Sequence, residues 1–223
     1  MEKESKPKSS IWVDKGTDFT RVLALSDGVF AIALTLLALE LIPAEIDAGR
    51  VAQELPGVIL GLIPQFLVFA LAFYLVIVKW MAHRRIFEHI THYDSTLLWL
   101  NNWFLLLIAF MPVPAAILGR YPQEPLALIF FGVAQIITTA VQWLLWGYAT
   151  RGHRFVDESV DDDTIRFFRN RYLIQIITFV VFTLVALINV WLALGVLFLF
   201  YMGIGSQIFT SRQRHKHADS AET

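Results

Sequence analysis

Six long apolar stretches, separated by short polar or charged connections, set the rhythm of the chain. They lie near residues 21–42, 55–81, 95–118, 124–149, 170–188 and 190–209. Each comes close to or exceeds the about 20 residues of helix that cross a hydrocarbon core. Their apolar positions run on without alternation, whereas barrel strands would be segments of about ten residues with a period of two. The pattern therefore predicts an all-α integral membrane protein with six transmembrane helices. The fifth and sixth stretches meet around Asn189 almost without a loop; their combined length of roughly 40 residues is two crossings, so they are expected to form a tight helical hairpin.

The apolar residues make up 57 % of the 223 in the chain, and the mean hydropathy is +0.59. That share exceeds the about 45 to 50 % of soluble domains and identifies the lipid bilayer as the solvent. Lys and Arg are distributed asymmetrically. Lys3, Lys6, Lys8, Lys15 and Arg21 precede the first span; Lys79, Arg84 and Arg85 follow the second; Arg151, Arg154, Arg166, Arg169 and Arg171 lie between the fourth and fifth; Arg212, Arg214 and Lys216 follow the sixth. The other connections hold only Arg50 and Arg120. By the positive-inside rule both termini face the cytoplasm, giving a multi-pass protein of the cell membrane. The expected division is a cytoplasmic segment over 1–20, a six-helix membrane domain over 21–209 and a cytoplasmic tail over 210–223.

Net charge is −1, so nothing points to a nucleic-acid partner. The first apolar segment is too long for the apolar region of a signal peptide and lacks a small-residue cleavage site, so no cleavage is expected. With no cysteine in the chain, disulfides, thiolate metal sites and cysteine nucleophiles are excluded. The loop carrying RGHRFVDESVDDDT is expected to be a solvated linker; the consecutive Asp161, Asp162 and Asp163 converge poorly on a single ion.

The polar residues inside the spans carry the functional questions. The first span reads RVLALSDGVFAIALTLLALE, with Asp27 at the mouth of an otherwise apolar run. A charge at a helix centre costs about 2.5 to 3.5 kcal/mol and less toward the interface, so Asp27 should be paired, wet or both, with Arg21 its nearest candidate partner. Farther along, Ile32, Thr35, Leu36 and Leu39 follow i, i+3, i+4, i+7 and share one helical face. Such a face either packs on a neighbouring helix or forms an apolar constriction that gates by dewetting. Gln135, Thr138, Thr139 and Gln142 make a second stripe with the same spacing in the fourth span. It reads either as interhelical hydrogen-bond glue or as the lining of a hydrophilic pathway.

Gly57 and Gly61 permit close helix approach, and Pro112 with Pro114 predicts a kink or early end in the third span. The tryptophans suit interfacial belts or helix packing, and none needs a cofactor. His89 and His92 are three apart, a spacing that could serve a metal, but no third matched ligand accompanies them. His83 lies near the same membrane boundary as Asp27. The topology brings Arg21, Ser26 and Asp27 of the first span, His83 of the second, and Asp94 and Asn101 of the third to comparable depth, where polar groups from three helices can meet.

These residues resemble a known family. RVLALSDGVFAIALTLLALE is similar to the first-helix signature of the transmembrane protein 175 family of potassium channels, with Leu25 where the family's hallmark Phe-Ser-Asp has phenylalanine. HRRIFEHITHYDSTLLWLNNWFLLLIAFMPVP resembles the family's second-to-third helix region. The resemblance implies a homotetramer of six-helix subunits, its central pore lined by the first helix and permeated by potassium ions with no bound cofactor. It further implies a narrowing at Ile32 with Thr35 beside it, with Leu36 and Leu39 on the same face, and a structural or gating role for Arg21, Ser26 and Asp27. Asn101 and His83 stand where the family has polar partners. From this come the expectations of a hydrophobic constriction and of modest preference for potassium over sodium, since a ring of threonine hydroxyls is a low-field site. The rival reading is a proton-permeable or proton-coupled carrier using Asp27, His83 or the fourth-span stripe, although no internal repeat supports it. An intramembrane enzyme is a weaker choice, because no carboxylate or histidine pair lies deep in the spans.

Overall fold

The structure, a computed structural model, describes residues 13–14, 17–43, 45–157, 160–197 and 199. Most of the predicted 1–20 segment, the later part of the sixth stretch and the 210–223 tail lie outside them. In chain order the elements are β1 (Val13–Asp14), α1 (Thr17–Leu39), α2 (Val51–His89), β2 (His92–Tyr93), α3 (Ser95–Phe110), α4 (Pro112–Arg120), α5 (Pro125–Thr150), a 3-10 turn (Arg151–His153) and α6 (Asp162–Ala186). Among the described residues five helical segments are long and apolar enough to cross a membrane, α3 and α4 counting together as one. A further helix begins at residue 190, where the Asn189 side chain accepts from the backbone N–H groups of Trp191 (2.9 Å) and Leu192 (3.1 Å). That cap is the local reason the fifth and sixth stretches separate at this point.

Several helices outrun their apolar stretches. α2 continues to His89, held on its outer side by an Arg84–Glu88 pair one turn apart and on its inner side by buried His83, Ile86 and Phe87. α6 starts at Asp162, where Asp161 caps the first turn by accepting from the Thr164 N–H at 2.9 Å. The hydrogen bonds from Thr164 also hold the Asp161 carboxyl below its ordinary range. The third span breaks at Met111, as its prolines predict. Pro112 has no N–H for the Ile108 carbonyl, and the Met111 N–H takes that acceptor instead at 3.1 Å.

The helices bury two apolar clusters. One joins α1, α2, α3, α4, α5 and α6 around Phe30, Leu75, Phe104, Leu118, Phe131 and Phe179. The other lies toward the basic end, around Ile86, Leu97, Trp146 and Phe155. The loop after α5 is not the solvated linker expected from its charges. Phe155, Val156 and Val160 are buried, Val156 bridges to Ile90, and the Thr91 N–H donates to the Phe155 carbonyl at 2.9 Å. The apolar residues between its basic and acidic runs fold it back over the α2–α3 turn. β1 and β2 form a two-residue antiparallel ribbon at the same turn, pairing Val13 with Tyr93.

Candidate functional site

α1 is divided lengthwise. Ser26, Phe30, Ala33 and Leu37, at i, i+4, i+7 and i+11, are buried against the rest of the bundle. The four residues predicted to share a face, Ile32, Thr35, Leu36 and Leu39, are all exposed on the subunit, Ile32 at 61 %. The Thr35 hydroxyl donates to the Ile32 carbonyl at 2.8 Å, which leaves its oxygen as an outward acceptor. Gly28 belongs to the exposed face too, and a Cβ there would meet nothing within 4 Å. At the far end of the helix Glu40 lies 4.0 Å from Arg120 of α4, an exposed pair of little energetic weight.

Near the start of α1, three helices share one polar layer. The Asn101 amide of α3 donates to Ser26 Oγ at 3.4 Å, and Ser26 Oγ donates to the Val22 carbonyl at 2.9 Å. His83 Nε2 of α2 lies 2.8 Å from Asn101 Oδ1; because the Asn101 nitrogen is already a donor, this oxygen accepts and Nε2 carries the proton. The imidazole stacks on Phe104 at 5.4 Å between centroids and touches Phe30 and Phe87. The layer is thus a directed series of donors inside an aromatic enclosure.

Two expected partnerships differ. Asp27 is exposed, and its Oδ1 accepts from the Trp80 indole N–H at 2.8 Å; no ion pair joins it to Arg21. Positions six apart on a helix point in different directions, whereas Trp80 arrives from α2 at the right height. Asp94 does not join the Ser26 layer either. It caps α3 through the Leu97 N–H at 2.9 Å and accepts from the Tyr148 hydroxyl at 2.7 Å, with Arg154 at 3.8 Å.

A second polar layer lies between α2 and α5. Lys79, counted from sequence among the charges flanking the second span, is 1 % exposed and donates to Thr139 Oγ1 at 2.7 Å. Thr139 in turn donates to the Gln135 carbonyl at 2.8 Å, and Gln142 Nε2 donates to the Lys79 carbonyl at 3.2 Å. All four residues of the fourth-span stripe are buried. Sequence reasoning treated Lys79 as a flank because it follows an apolar run; the signal available was its i, i+4 relation to His83, which puts both on the inner face of one long helix. His89 packs beside Trp146 and Phe168, and His92 Nδ1 lies 2.9 Å from the Thr91 hydroxyl oxygen. Among the described residues no three His, Cys, Asp or Glu side chains gather as a metal site.

Comparison with known proteins gives a consistent result. Residues 21–112 match the family described as endosomal/lysosomal potassium channel TMEM175. A potassium channel of Chamaesiphon minutus is 32 % identical over 183 residues, covering 80 % of this chain and 89 % of its own. The human endosomal/lysosomal proton channel TMEM175 is 28 % identical over 161 residues, which are 70 % of this chain and 31 % of that protein. The crystal structure of a lysosomal potassium-selective channel TMEM175 homolog from Chamaesiphon minutus superposes with a TM-score of 0.74 at 27 % identity, covering 86 % of this chain and 98 % of that one.

Proposed function

The chain belongs to the TMEM175 family of ion channels, and from that premise we propose that it is a potassium-permeable channel in which four copies surround a pore lined by α1. The observation that carries the reading is the exposed face of α1. Ile32, Leu36 and Leu39 form an aliphatic band without partners in the subunit, while the opposite face is fixed in the core. Around a fourfold axis that band becomes a constriction that excludes water when narrow and conducts when slightly dilated. Thr35 adds a ring of acceptor oxygens that replaces part of a cation's hydration shell, giving a modest preference for potassium over sodium. Nothing inside the subunit requires glycine at position 28, but close approach of neighbouring α1 helices would use its small size.

The buried Ser26, His83 and Asn101 layer, together with the Asp27–Trp80 bond, holds α1 at the angle that presents this band. In this reading both termini face the cytoplasm, and Arg21 lies at the inner mouth. The test is potassium flux in reconstituted vesicles, comparing Ile32→Asn with Ile177→Asn, an equally exposed aliphatic on α6. Lowering a dewetting barrier by about 1.4 kcal/mol raises flux about tenfold, and only the α1 variant is expected to show it. Equal responses of the two variants would count against a gate at Ile32.

A second reading, proton permeation through Asp27, His83 or the α5 stripe, draws support from the human relative's being named a proton channel. A pH-sensitive dye inside the same vesicles separates the two, since potassium permeation leaves internal pH unchanged when the membrane potential is clamped.

A further inference from the structure

Behind Lys79 the bundle opens into a cleft of about 370 Å³ between α2, α5 and α6. Its wall contains three basic side chains, Lys79 and Arg85 from α2 and Arg171 from α6. Among the described residues no acidic side chain lies within ion-pair distance of any of them, although other arginines at this end of the molecule, Arg84, Arg154 and Arg166, do have such partners. Arg85 and Arg171 line this one cleft from two helices, together with Tyr172. Tyr172 Oη and Gln142 Oε1, from two more wall residues, are buried without a hydrogen-bond partner.

A buried cation held by one neutral hydroxyl is expensive unless an anion completes its surroundings. Among the described residues no such anion is supplied here. The fold supplies a hollow with two further guanidinium groups, the side-chain type best matched to the oxygens of a phosphate. The flanks of the cleft are apolar: Met81 and Phe167 line it and are themselves exposed on the bundle surface. A freely dissolved phosphate gains nothing from those flanks, whereas acyl chains would cover them.

We propose that this cleft binds the phosphate group of an anionic phospholipid from the leaflet at the basic end of the bundle. The phosphate sits between Arg85 and Arg171 with Lys79 beneath it, and the acyl chains leave past Met81 and Phe167. The site is separate from the exposed face of α1 and does not depend on that face lining a pore.

The experiment uses the full chain in detergent, with retained lipid counted by native mass spectrometry after addition of equal amounts of phosphatidylglycerol and phosphatidylcholine with identical acyl chains. The expected result is preferential retention of phosphatidylglycerol, weakened about fivefold by Arg85→Gln and again by Arg171→Gln, in line with the contribution of one cation near an anionic headgroup. Arg120→Gln, which removes a cation at the opposite end of the bundle, is expected to retain lipid like the wild type. Melting curves of the same samples confirm that the variants are folded, and both rim arginines are accessible enough for their loss to leave the core intact. Equal retention of the two lipids, or wild-type retention in both rim variants, overturns the proposal. So does complete displacement of phosphatidylglycerol by excess inorganic phosphate, which would assign the cleft to the free ion.

Discussion

Two polar layers are buried in this bundle, and they are built on opposite principles. The layer of Ser26, His83 and Asn101 is composed of neutral groups that donate to one another in sequence and is wrapped by Phe30, Phe87 and Phe104. The layer of Lys79, Thr139, Gln135 and Gln142 contains a buried lysine, and two of its amide oxygens, Gln135 Oε1 and Gln142 Oε1, have no partner. Groups that satisfy one another stabilise a single packing, while an incompletely satisfied set leaves polar atoms whose burial is costly until a further group or water meets them. The first layer suits the proposed role of holding α1, and Lys79 and Gln142 of the second line the proposed lipid cleft.

The strongest way to break this contrast is to open the enclosure of the first layer. Phe104→Ala, which removes a fully buried ring stacked on His83, is expected to cost about 3–5 kcal/mol in detergent unfolding. A loss below 1 kcal/mol would mean the aromatic wall is dispensable. Next comes Thr139→Val, which keeps volume but takes the acceptor from Lys79; about 1–3 kcal/mol should be lost, as expected for a stranded buried donor. Thr138→Val is its matched control, because that hydroxyl donates only to Ala134 within its own helix, and equal losses for the two would erase the distinction drawn for Lys79.

Asn101→Leu interrupts the neutral series at its centre. It leaves the buried His83 Nε2–H without its acceptor, so about 1–3 kcal/mol should again be lost in the same unfolding assay; a loss near zero would mean that the neutral series does not hold the packing. Smallest of all is Leu25→Phe, which restores the aromatic of the family signature at a position 58 % exposed on the subunit. Its effect on subunit unfolding is expected within about 0.5 kcal/mol, and a larger shift would place position 25 in a contact that one subunit does not contain.

The spans were legible because a bilayer forces long uninterrupted apolar runs, and the break at Met111 followed from prolines that cannot serve the preceding carbonyls. The shared face of Ile32, Thr35, Leu36 and Leu39 was equally readable from spacing, although its role was not. What escaped was anything set by one helix against another. The Trp80 indole on Asp27 joins residues 53 apart in sequence, and the Tyr148 bond to Asp94 joins residues 54 apart. Lys79 was misplaced for a related reason. Counting charges at the ends of apolar runs assumes that the helix leaves the bundle there, yet α2 goes on for ten more residues with its inner face still buried. The loop after α5 misled in the same manner, its flanking charges hiding Phe155 and Val156.

Gly132 on α5 marks a close approach between two helices. A methyl group at that position would collide with the Thr183 hydroxyl and press on the Phe182 ring of α6. The two helices are therefore seated backbone to side chain with no slack, and one cannot slide along or turn past the other without losing that seat. In the proposed channel, a widening of the passage along α1 that leaves this seat intact would move α5 and α6 together as one pair.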